Sequence, residues 1–95
     1  MIVGMYAVFD TKAGAYMPPF FMHNHAMAQR AIMGATMDKE HQFYKHPEDY
    51  TLHYLGEFDD NTGYLTQEEP LPIVNCVQLK MKIVEQEMVE QEITS

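Results

Sequence analysis

A chain of 95 residues with a formal charge of −8 makes one small domain, able to bury only about 60–65% of the surface its unfolded form exposes. A hydrophobic share of 46%, with 12% aromatic residues, excludes wholesale disorder. The single cysteine, Cys76, excludes an internal disulfide, so folding owes nothing to an oxidising compartment.

The charge is uneven. Residues 1–50 carry five acids and four bases, whereas residues 51–95 carry nine acids and two bases. An acidic half of this kind repels phosphate backbones, so unaided nucleic-acid binding is disfavoured. It reads first as a solvated face that keeps the chain soluble, and second as a surface suited to a basic partner. Met1 to Phe9 is apolar but too short to span a membrane, and no basic segment precedes it. The expectation is a soluble, intracellular protein with no membrane partner.

Ile2 to Phe9 is the first strand, rich in strand formers and apolar on both faces, which suits a central position in a sheet. Asp10 to Gly14 is a turn, and Ala15 to Met22 resumes as a second strand interrupted by Pro18-Pro19. Neither proline has an N–H to give, so this strand is an edge, is bulged or bends there. Asn24 is a suitable N-cap for a helix over His25 to Met37. Ala28, Ala31, Ile32 and Ala35 form its apolar stripe, and Gly34 is tolerable there if close approach is its purpose.

Asp38 to Lys45 is a polar exit loop, and Pro47 ends any preceding helix by His46. Thr51 to Phe58 alternates as a strand, with Leu52, Tyr54 and Phe58 on one face. Asp59-Asp60-Asn61-Thr62-Gly63 is a tight turn leading back into Tyr64 and Leu65, a hairpin. Gln67 to Pro72 reads as an extended loop, and Ile73 to Leu79 as a last strand. The repeat Val84-Glu85-Gln86-Glu87-Met88 and Val89-Glu90-Gln91-Glu92-Ile93 marks residues 81–95 as an acidic tail or short helix. The fold class is therefore α+β: a small antiparallel sheet, β-β-α-β-β-β, with one covering helix over residues 1–80.

No reactive centre stands out. His23, His25, His41, His46 and His53 with one cysteine lack the clustered spacing of a zinc site. Asp59-Asp60-Asn61 lacks the twelve-residue spacing and closing glutamate of a calcium loop. Glu48, Asp49 and Glu57 would need a cleft to act as an acid/base pair. Cys76 sits in an apolar run and reads as a buried hydrophobe. No phosphate loop, nucleophile elbow or cofactor motif is present, so no catalytic residue, metal or cofactor is expected.

The run Lys45-His46-Pro47-Glu48-Asp49-Tyr50-Thr51-Leu52, continued by Leu55-Gly56-Glu57-Phe58-Asp59-Asp60 and Thr62-Gly63, resembles the small nonstructural protein of gokushovirus-type microviruses. These are tiny single-stranded DNA bacteriophages. Tyr6, Asp10, Lys12, Tyr16 and Pro19-Phe20-Phe21, with Ala28 and Arg30, match the same pattern, so the resemblance covers roughly residues 3–65. It implies a nonstructural role in the host bacterial cytoplasm, in the switch from genome replication to packaging of single-stranded DNA. The implied partners are phage replication or prohead proteins, or the viral DNA itself.

Two readings follow. In the first, the protein is non-enzymatic and works by protein contact. Its interface candidates are the aromatic edge Phe20 and Phe21 and the loop Tyr44, Lys45, His46, Pro47, Glu48, Asp49 and Tyr50. One helix cannot cover so many large apolar residues, so a homo-oligomer formed through an edge strand or an open sheet face is also expected. In the alternative, Lys12, Arg30, Lys39 and Lys45 with Tyr44 and Tyr50 bind single-stranded DNA directly.

Overall fold

The computed structural model describes the backbone of residues 1–94 and the side chains of residues 1–87. Strand β1 (Ile2–Asp10) is central, as its two apolar faces require. It pairs antiparallel with β4 (Tyr50–Asp59) on one side and with the short strands β2 (Ala15–Tyr16) and β3 (Phe20–Met22) on the other. The two prolines divide the second strand into these pieces. Strand β5 (Leu65–Asn75) pairs with β4 and forms the far edge.

The β4–β5 hairpin closes as its turn residues dictate. The Asp59 carboxylate accepts from the Asn61 amide at 2.9 Å, the Gly63 amide donates to the Asp59 carbonyl at 2.8 Å, and Gly63 takes φ +77. Helix α1 (His25–Met37) starts where Asn24 Oδ1 accepts from the Met27 amide at 2.9 Å. Its buried line is Ala28, Ile32 and Thr36 rather than one through Ala31, which is exposed. Thr36 satisfies its hydroxyl by donating to the Ile32 carbonyl at 2.8 Å. Gly34 faces open space, so it serves no close approach. A short helix α2 (Gln42–Lys45) and a 3-10 turn (Pro47–Asp49) replace the expected loop.

The largest departure lies beyond the hairpin. Residues 67–72 are strand rather than loop, because an edge strand leaves one side of its backbone unpaired and tolerates Pro70 and Pro72. The strand ends at Asn75, and residues 76–79 begin helix α3 (Cys76–Thr94) instead of continuing extended. Asn75 Oδ1 accepts from the Val77 amide and Gln78 Oε1 accepts from the Asn75 amide, both at 2.8 Å. This reciprocal cap, with Cys76 and Leu79 fully buried, nucleates a helix that continues through the Glu-rich segment. The side chains of 88–95, half of the expected tail, lie outside the described residues.

The architecture is α+β, an antiparallel five-stranded sheet with helices on one face. The core draws Tyr6, Val8, Leu52 and Val74 from the sheet, Ala28 and Ile32 from α1, Phe43 from α2, and Cys76 and Leu79 from α3. Helix α3 thus joins α1 in covering the sheet. No helix among the described residues is long and apolar enough to cross a membrane.

Candidate functional site

Side chains alternate across a strand, so a face buried by helices implies an opposite face defined by the neighbouring residues. Tyr6, Val8 and Leu52 point toward the helices; Val3, Met5, Phe9, Thr51 and His53 therefore point away. Ladder partners share a side, which adds Tyr16 opposite Phe9, Phe21 opposite Met5, Phe58 opposite Val3 and Leu65 opposite Phe58. None of these residues is charged. Phe9, Tyr16 and His53 form one ring cluster, with centroids 4.9 to 6.0 Å apart, and Phe21 packs on Phe58 at 5.6 Å. Tyr16, Phe21 and Leu65 remain 43%, 49% and 62% exposed. The two ring clusters leave apolar and aromatic surface on this face, of the kind that marks an interaction site.

The expected interface residues separate on this frame. Phe21 lies on the open face, but Phe20, its neighbour in an extended strand, turns to the covered side and stacks on Tyr6 at 6.0 Å. Tyr44 carries the Lys80 ammonium 3.9 Å from its ring centroid. Tyr50 is half-buried against Phe43, and this burial, ahead of nearby Asp10 and Asp49, pushes its phenol pKa up. Lys45, His46 and Glu48 are exposed, while Pro47 and Asp49 are half-buried. The loop also ties the fold together: the Asp49 carbonyl accepts from the Thr11 amide at 2.9 Å, and the Asn75 side chain donates to the Tyr50 carbonyl at 3.0 Å.

His46, Glu48 and Asp49 offer ligand atoms within 4.8 Å of one another, but Lys12 already sits 3.4 Å from the Asp49 carboxylate. The other histidines do not join this group. His41 accepts from the Phe43 amide at 3.0 Å, and His53 joins the open-face rings. Glu57 lies along β4 from Glu48 and Asp49, about 23 Å away at the rise of an extended strand. The three carboxylates therefore do not converge.

Glu57 lines a different feature, an open recess of about 440 Å3 with Tyr6, His23, His25 and Tyr54. The Tyr6 hydroxyl and His25 Nδ1 share a 2.7 Å hydrogen bond. Burial raises the Tyr6 pKa, and burial followed by Glu57 raises that of Tyr54, so both stay protonated phenols at neutral pH. Such groups can donate or accept hydrogen bonds but are poor bases. Its residues come from three separate stretches of the chain, which is why the sequence does not reveal it.

The four cations of the nucleic-acid reading are not on the aromatic face. Lys12 lies in the β1–β2 turn, while Arg30, Lys39 and Lys45 belong to α1, the segment after it and α2. Lys39 shares a groove with Tyr44 and Lys80.

No curated protein and no solved structure matches the chain. The family described as Phage ORF5 protein matches residues 3–79, which spans every strand, α1, α2 and the buried start of α3. That description names a phage reading frame and no reaction. The chain belongs to the Phage ORF5 protein family and is a bacteriophage protein.

Proposed function

We propose that this chain is a non-enzymatic accessory protein of a gokushovirus-type single-stranded DNA phage. It acts in the host bacterial cytoplasm, by protein contact, in the switch from genome replication to packaging. The observation that carries the reading is the aromatic sheet face, where Tyr16, Phe21 and Leu65 stand exposed on the side away from the helices. Aromatic anchors of this kind concentrate binding energy in protein interfaces. The partner is a replication or prohead protein of the same phage.

The test places a photo-crosslinking amino acid at Phe21 during infection, with the same group at Arg30 on α1 as control. A crosslink from position 21 to a phage replication or prohead protein, absent from position 30, is the expected outcome. A crosslink to phage DNA alone, or none from position 21, would overturn the reading.

The ring cluster of Phe9, Tyr16 and His53 favours one alternative, stacking of single-stranded bases on the same face. A salt titration against an oligonucleotide separates the two. Tight binding that weakens steeply with salt supports the alternative. The charge of −8 argues against it.

A further inference from the structure

Helix α3 has two apolar stripes, and the fold uses one. Cys76 and Leu79 are buried in the core, with Ile83 half-buried one turn further along. On the outer side, Val77, Met81 and Val84 are 36%, 61% and 49% exposed. Their spacings of four and three residues are those of a coiled-coil seam. With Lys80 and Glu85 they line a shallow, almost wholly apolar groove. An isolated exposed apolar residue needs no explanation, but three in a seam with a groove between them do.

The charges beside this seam indicate what covers it. Lys80 and Lys82 come first along the helix, and Glu85 and Glu87 follow. A second α3 running antiparallel sets the basic stretch of each copy against the acidic stretch of the other. A parallel, in-register pair leaves both lysine pairs at one end. It also crowds the two globular domains together, because each α3 is embedded in its own domain from Cys76 to Leu79. We propose that Met81 and Val84 of the outer stripe of α3 pair antiparallel with the same two residues of a second copy of this chain. Met81 of one copy then meets Val84 of the other, the two-fold axis passes between residues 82 and 83, and Lys80, which also donates to the Tyr44 carbonyl of its own chain at 3.2 Å, lies alongside Glu87 of the other copy.

This inference is independent of the contact proposed for the sheet. It places the dimer interface on the helical side, not at the edge strand or open face that composition suggests. Both open sheet faces stay free, so the dimer presents two. The contact is short, below the size of a standard stable interface, so the dimer is weak and concentration-dependent.

The test is sedimentation equilibrium of the full chain across a concentration series, with folding of every variant checked by circular dichroism. The wild type is expected to be in monomer–dimer exchange. Met81→Glu, at an exposed position, and Glu87→Lys should each raise the dissociation constant by at least about tenfold. The double swap Lys80→Glu with Glu87→Lys should restore it, because antiparallel pairing exchanges the two partners. A wild type that stays monomeric at all concentrations overturns the proposal. So does a dimer indifferent to Met81→Glu, or a folded double swap that fails to recover.

Lys80 also sits over Tyr44, so the double swap carries some risk to folding. If that variant does not fold, a Met81→Cys chain is mixed with a Val84→Cys chain and oxidised. Preferential formation of the mixed disulfide supports the antiparallel register. Preference for either homodimer overturns it.

Discussion

Gly56 in β4 lies directly against the backbone carbonyl of Thr66 in β5, with no room between them for a side chain. It sits at a break in register on both of its ladders: Leu55 is extra against β1, residues 68–70 of β5 bulge opposite Leu55, and the φ of Gly56 reaches +144. Both the crowding and the backbone conformation demand glycine. Gly56→Ala must strain its own backbone and move β5, which costs about 3 kcal/mol or more. For a domain of this size that lowers Tm by about 12 °C or more. A loss below about 1 kcal/mol in urea unfolding would show that the bulge relaxes freely.

Asn75 joins the sheet to α3. Its carbonyl oxygen caps the helix through the Val77 amide at 2.8 Å. Its amide group donates to the Tyr50 carbonyl and the Thr51 hydroxyl, both at 3.0 Å. Asn75→Ala removes the cap and leaves those acceptors short of a donor, for a cost of about 2 kcal/mol. Asn75→Ser keeps a capping oxygen and loses only the donor, so its loss should be smaller. Equal losses in thermal melts would mean that the cap contributes nothing.

These two residues show what was legible in the sequence and what was not. The central strand was readable because Ile2 to Phe9 is apolar on both faces, and α1 because Asn24 precedes an apolar periodicity. The hairpin was readable from Asp59 to Gly63, where short polar side chains and a positive φ leave few alternatives. The switch at Asn75 was hidden, since Ile73 to Leu79 alternates well enough to pass for a strand. The spacing of Asn75 and Gln78, a capping box, was the available sign. The pairing of Phe20 with Phe21 as one interface ignored the two-residue period of a strand, which sends neighbours to opposite faces. The His25–Tyr6 recess was out of reach, because partners 19 residues apart in sequence meet only through the register of β1 and β3.

Gly34 offers a test in the stabilising direction. It occupies an exposed turn of α1, and a methyl group added there would meet nothing within 4 Å. Its backbone is helical, so Gly34→Ala restricts the unfolded chain without straining the folded one. Stability should rise by about 0.5–1 kcal/mol, seen as an increase in the urea midpoint at constant slope. A decrease would mean that residue 34 does not hold a helical backbone in solution.

Alkaline pH should unfold the domain through groups that folding holds protonated. Burial lifts Cys76 above its ordinary 9.0, a shift that the hydrogen bond with Thr36 opposes, and burial first of all lifts Tyr6 above 10.0. For both groups the unfolded chain releases its proton at a lower pH than the folded one. The folded state therefore binds more protons between the two pKa values, and stability falls as pH rises through that window. Below about pH 8.5 the stabilisation is fully present; loss begins near 9 with Cys76 and deepens above 10 as Tyr6 joins. Cys76→Ala removes the earlier phase. Its Tm should be lower than wild type at pH 7 because the core loses volume, yet decline less from pH 8 to 9.5 than the wild-type value, the remainder coming from the Met1 amine, whose hydrogen bond to Asp60 holds it above its ordinary 8.0. Parallel Tm–pH curves for the two proteins would assign the alkaline loss to the Met1 amine and the tyrosines, without Cys76.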